Sequence, residues 1–253
     1  MKRLLVNLMC AFIPVKAKRD AVRNKFFPKK RVKFPDPWEL MLAENHIEIA
    51  EEDKAHVSLS VHGKGNTIIV KKLCQGISGM INISLAGNNC KIVLDEGIWV
   101  SGVLNIIAGQ VHQNFGLIDN TLISIGKYTT FENCNIITYN SNAVLEIGER
   151  CMFSCNIHLY NTDGHPIYNM DGTKLLNKAR TMKIGNHVWI GGYATLLKNV
   201  QIADNCIVGW GSVATGGCFD ICNSIIAGNP AKYVKHGITW EKDGSGEFTF
   251  NDN

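Results

Sequence analysis

From Ile184 onward the chain repeats an aliphatic residue every six positions. The hexads open at Ile184, Ile190, Leu196, Ile202 and Val208, before the pattern weakens at Ala214. Position two is Gly or Ala in four of these five hexads, and position five is always small or β-branched: Val188, Ala194, Val200, Cys206 and Ser212. The same register runs earlier through Ile125, Phe131 and Ile137. After a slip at 143–146 it runs again through Ile147, Phe153 and Leu159. Residues 165–183 interrupt it.

A six-residue period predicts three short strands per turn of a triangular coil of about 18 residues. Position one points into the prism, position five tucks a small group beside each corner, and glycine at position two eases the turn. Stacked coils pair in parallel and bury one continuous apolar column. Residues 46–124 read as less regular coils of the same helix. Apolar runs there (Ile68-Ile69-Val70, Ile92-Val93-Leu94, Leu104 to Ile107) alternate with the turns Gly65-Asn66 and Gly87-Asn88-Asn89. Asp36-Pro37-Trp38-Glu39 has the order of an N-cap, a first-turn proline and a capping-box glutamate, which predicts a short helix.

Composition adds a contrast between the two ends. Residues 1–33 hold eleven Lys and Arg against Asp20 alone, a net +10; with +4 overall, the remainder carries −6. A mildly acidic body without a basic stripe argues against a nucleic-acid partner. Within the arm, Leu4, Leu8 and Phe12 form an apolar helical stripe beside basic neighbours. The stretch resembles a signal peptide but lacks a cleavage site, and it is too short to span a bilayer. It reads as an interfacial arm at the inner face of the cytoplasmic membrane, with a solvated or subunit-binding arm as the alternative. Nine cysteines without a C-x-x-C pair read as reduced packing residues, which implies a reducing, cytoplasmic compartment. The domain reading is an extension over 1–45, a β-helix over 46–240 and a polar, frayed tail over 241–253.

A prism of repeats has no cleft of its own, so chemistry is expected at the interruption. This opens with Asn161-Thr162-Asp163-Gly164-His165-Pro166-Ile167-Tyr168 and closes into Ile184-Gly185-Asn186-His187-Val188-Trp189-Ile190-Gly191-Gly192. Together with Ala227-Gly228-Asn229-Pro230-Ala231-Lys232 and Ile238-Thr239-Trp240, these blocks resemble the hexapeptide-repeat O-acetyltransferases over roughly residues 120–240, above all those of sialic-acid capsules. The resemblance implies an all-β fold, a left-handed parallel β-helix, working as a homotrimer with sites shared between subunits.

It also implies roles. His165 would be the general base that takes the proton of an acceptor hydroxyl as it attacks acetyl-CoA, a task suited to an imidazole that titrates near neutrality. The Gly192 N–H would stabilise the oxyanion, and Trp189 would wall the acetyl end. Pantetheine would lie along Gly191, Gly209, Trp210 and Thr215, with Lys232 and Lys235 at the phosphates. Trp210 and Gly216 depart from the family, which carries a small residue and often a lysine at those positions. Trp210 would either cover the cofactor or pack against a partner subunit. Asp163 would hold the imidazole tautomer or cap a turn; Asn133, Asn135 and Tyr168 would face the acceptor. His158 and His187 read as outward surface residues, and with His165 they lack the spacing of a zinc site.

The combined reading is an acetyl-CoA-dependent O-acetyltransferase acting on a hydroxyl of a capsule or lipopolysaccharide sugar. N-acetylation of an amino-sugar nucleotide is the enzymatic alternative. A non-catalytic β-helix scaffold would want repeated outward Thr pairs, which Thr129-Thr130, Thr195 and Thr215 do not supply.

Overall fold

The computed structural model describes residues 37–110, 116–178 and 181–242. The basic arm, Asp36 and the residues after Lys242 lie outside these. A helix spans Pro37–Glu44, with the proline in its first turn, where its missing N–H costs nothing. The chain then winds into a parallel β-helix with three faces.

The first face stacks eight short strands in parallel. They run from His46–Ile49 through Thr67–Val70, Lys91–Leu94, Leu122–Ile125, Val144–Ile147, Thr181–Ile184 and Val200–Ile202 to Gly217–Phe219. The second face stacks Trp99, Thr130, Met152–Phe153, Trp189–Ile190, Ile207–Val208 and Ser224–Gly228. The third stacks Asn105, Asn135, Ile157–Tyr160, Thr195–Leu197 and Val213–Ala214. A last strand, Ala231–His236, turns back antiparallel along Ser224–Gly228. The described residues within 46–124 form coils of the same helix, as expected.

Burial follows the predicted register in the regular coils. Ile184, Ile190, Leu196, Ile202 and Val208 are at most 3% exposed, and the position-five residues Val188, Ala194, Val200, Cys206 and Ser212 at most 1%. One coil differs. Ile136, not Ile137, points inward, because Thr130–Thr138 rounds its corner as a continuous strand and uses one residue fewer there. Ile136 accordingly stacks on Leu159, and Phe131 stacks on Phe153 with ring centroids 4.7 Å apart. The interruption also ends earlier than expected, since Thr181–Ile184 already pairs with Val144–Ile147.

Glycine at position two has a different purpose from the expected one. Gly126, Gly148 and Gly185 stack in successive coils with ordinary backbone angles. A Cβ on Gly126 would come within 2.6 Å of Gly148, and one on Gly148 within 2.5 Å of the Gly185 carbonyl. Close approach of the next coil therefore excludes a side chain there. The left-handed backbone falls two residues later, at Tyr128, Arg150 and His187.

Candidate active site

The chain leaves the third face at Tyr160 and joins the first face at Thr181. In between it folds as a hairpin: Leu176 N–H donates to the Ile167 carbonyl (2.8 Å), Asn169 N–H to that of Lys174 (3.0 Å), and Tyr168 bridges Leu175. Asp171 accepts from the Thr173 N–H (3.0 Å) and hydroxyl (2.6 Å), which closes the tip as an Asx turn. Ile167, Tyr168, Met170, Leu175 and Leu176 are all exposed on it.

Asn177 ties the root of the hairpin. Its Nδ2 donates to Asp163 Oδ2 (2.7 Å) and to the His165 carbonyl (2.7 Å), while its Oδ1 accepts from the Ile167 N–H (2.8 Å). Lys198, at the same corner one coil on, forms an ion pair with Asp163 and donates to the Asn177 carbonyl at 3.3 Å. Burial works to raise the Asp163 carboxyl, but the hydrogen bonds from Lys198 and Asn177, with the Lys198 charge, hold it below its ordinary value. Asp163 thereby ties down the root of the loop. Lys198 does not stand out in the sequence, because it meets Asp163 only across a coil step, and Asn177 meets it only where the hairpin closes.

His165 is exposed at the rim of a cavity of about 190 Å³, lined with Tyr139, Asn140, Thr162, Leu175 and Asn177 among others. Asn140 lines this wall, and its buried Oδ1 has no hydrogen-bond partner among the described residues. Asn133 and Asn135 lie elsewhere. Asn133 Oδ1 accepts from the Val103 N–H (3.0 Å), and Asn135 continues an amide ladder from Asn82 and Asn105 to His158. Tyr139 and Asn140 were missed because the shortened coil at Ile136 shifts which residues reach this corner.

The remaining predicted residues gather at a different part of the prism. Trp189 is on the second face, its Nε1 donating to Ser154 Oγ at 3.1 Å. Gly191, Gly192, Gly209 and Trp210 share the corner between the second and third faces. Gly191 N–H donates to the Val208 carbonyl and Gly209 N–H to that of Ile226, both at 2.8 Å. Trp210 is 68% exposed and lies across the buried Gly192, where a Cβ would come within 2.5 Å of its ring; it also tilts against Tyr193 at 5.4 Å. Thr215 is exposed on the third face. Lys232 and Lys235 are exposed on the last strand, without an ion pair among the described residues.

His187 is less of a surface residue than expected. Its ring stacks on Trp240 at 4.1 Å and its carbonyl accepts from Trp240 Nε1 at 3.0 Å, while Trp240 also approaches Trp189 at 5.9 Å. The chain therefore stays packed through Trp240, which is only 6% exposed.

Residues 181–216 match the family model described as bacterial transferase hexapeptide (six repeats). Those residues therefore carry the hexapeptide repeat that this model describes. It is 33% identical over 144 residues to the polysialic acid O-acetyltransferase of Neisseria meningitidis, covering 55% of this chain and 59% of that protein. The corresponding enzyme of Escherichia coli O1:K1 is 28% identical over 131 residues, covering 51% of this chain and 41% of that protein. The chain thus spans about half the length of the curated relatives it matches. Among solved structures, the polysialic acid O-acetyltransferase OatWY aligns with a TM-score of 0.53 at 26% identity, covering 82% of this chain and 92% of that one. The polysialic-acid-specific acetyltransferase NeuO aligns at 0.57 and 24% identity, a likeness of fold that covers 77% and 93%. The hexapeptide coil is accordingly a left-handed parallel β-helix.

Proposed function

We propose that this hexapeptide-repeat protein is an O-acetyltransferase that moves the acetyl group of acetyl-CoA to a hydroxyl of an acidic surface glycan. The observation that carries the reading is the pinned hairpin, which holds an exposed imidazole at a cavity with an unpartnered amide acceptor. His165 takes the proton of the acceptor hydroxyl while that oxygen bonds to the thioester carbonyl carbon. As the tetrahedral centre collapses, the C–S bond breaks and the sulfur leaves with the proton from the imidazolium. The products are an ester and free CoA.

The residues at the second corner fit the cofactor's parts. Trp210 is exposed enough to lie against pantetheine, and Lys232 and Lys235, without an ion pair among the described residues, are suited to its phosphates. The His165 cavity, about 190 Å³, is below the 300 Å³ or so of a typical small-molecule pocket. His165 and Trp189 also stand on different faces. Both points favour a site completed by a neighbouring copy in a trimer, against which the exposed apolar hairpin would pack. Residues 1–33 would keep the enzyme at the cytoplasmic face of the membrane, near a tethered acceptor.

Incubation with acetyl-CoA and polysialic acid tests the reading. Free CoA should appear only when glycan is present, and the product acetyl should be released by hydroxylamine, as esters are. Glycan-independent thiol release, or an acetyl group that resists hydroxylamine, would overturn O-transfer.

A further inference from the structure

Among the described residues, eleven non-glycine residues have left-handed backbone, and seven of them are asparagine, whose short side chain tolerates that region. The exceptions are Tyr128, Arg150, His187 and Tyr193. Three of these stack in consecutive coils on the corner between the first and second faces. Arg150 N–H donates to the Lys127 carbonyl and His187 N–H to that of Glu149, both at 2.7 Å. Beyond His187 the same corner reverts to Asn205 and Asn223. A bulky residue in this conformation is disfavoured by the close approach of its Cβ to the backbone. His187 repays that by seating Trp240. Tyr128 is 49% exposed, so its ring finds no such partner within the coil.

Beside Tyr128 lies a cavity of about 350 Å³, with Trp99, Tyr128, Thr130, Gln75 and Lys242 among its walls. The Tyr128 ring lies over Gly97, where a Cβ would come within 2.3 Å of it, and Trp99 Nε1 donates to the Gly76 carbonyl at 3.4 Å. Lys242 and the exposed Arg150 have no ion pair among the described residues, whereas nearby Glu96 is neutralised by Lys127 at 3.0 Å. Trp99 also stands in register with Thr130, Met152 and Trp189 on the second face. Three strand steps separate Trp99 from Trp189, about 14 Å.

We propose that this cavity is an outlying subsite for an acidic glycan chain that runs on along the second face toward Trp189. The proposal rests on the functional reading above. The apolar faces of pyranose rings would stack on Trp99 and Tyr128, while Lys242 and Arg150 meet carboxylates along the chain. A span of several linked sugars would therefore bind better than a short one.

The test compares binding of short and long α-linked sialic acid oligomers, with neutral dextran as a third probe. Wild-type protein should prefer the long acidic chain. Tyr128→Asn places at this corner the residue used at most others, so it should fold at least as well while the long-chain advantage falls about five- to tenfold. Lys242→Gln should reduce the same advantage at low salt and have little effect at high salt. Equal affinity of the wild type for long and short chains, or for dextran, would overturn the subsite. So would a Tyr128→Asn protein that keeps the advantage, or one that instead changes oligomeric state and so marks the cavity as a subunit contact. If the length advantage is intact but no chain is acetylated, the functional reading falls and the subsite stands.

Discussion

Lys198 reaches across a coil step to form an ion pair with Asp163, two residues before His165. The pair closes the root of the hairpin from outside it, with Asn177 as the third member. Lys198→Met should leave the β-helix folded, because exposed or half-exposed pairs contribute about 1 kcal/mol or less. It should lower kcat by roughly tenfold by freeing the hairpin. An unchanged kcat with a lowered Tm would mean that the clamp serves stability alone.

The same clamp has a pH sense. The Asp163 carboxyl is held below its ordinary value, so the clamp's contribution is fully present above the ordinary carboxylate pKa. It is lost as pH falls through the depressed folded value. Proteolytic nicking of residues 165–178 should therefore stay slow at neutral pH and rise only in strong acid, whereas Asp163→Asn should be nicked readily at neutral pH.

His165→Ala should reduce turnover by about 10²–10⁴-fold with the thermal unfolding midpoint preserved. His187→Ala should do the reverse. It removes the ring under Trp240, so stability should fall by about 1 kcal/mol while turnover changes little. Comparable activity losses in the two variants would remove the distinction drawn between them.

Thiol reactivity should divide by depth. Burial pushes Cys151 up to about 12 and raises Cys134 further, so both should resist alkylation in the native state. Cys74, Cys218 and Cys222 are exposed and should label at once. Early labelling of Cys134 would contradict the register that buries it.

The basic arm over 1–33 should bind anionic vesicles in a salt-sensitive way, since each Lys or Arg near such a surface contributes about 1 kcal/mol. A chain starting at Phe34 should lose that binding. If the whole protein ignores anionic vesicles at low salt, the arm serves another contact.

The sequence by itself determined the repeat, the strand faces and most of the core. A period of six makes each residue's direction a local matter: Ile184, Ile190 and Ile202 all point inward wherever the coil lies in the stack. It also marked the excursion that carries His165, because an interruption is visible wherever a regular pattern stops. Other features were decided only in three dimensions. The step from Phe131 to Ile136 is set by how one strand rounds its corner, and the stacking glycines by how closely the next coil approaches. Lys198 and Asp163 are 35 residues apart, and His187 and Trp240 are 53 apart. Such pairs follow no period. They form only where stacking brings one coil's corner over another's, which is why the partners of the candidate base had to come from the tertiary structure.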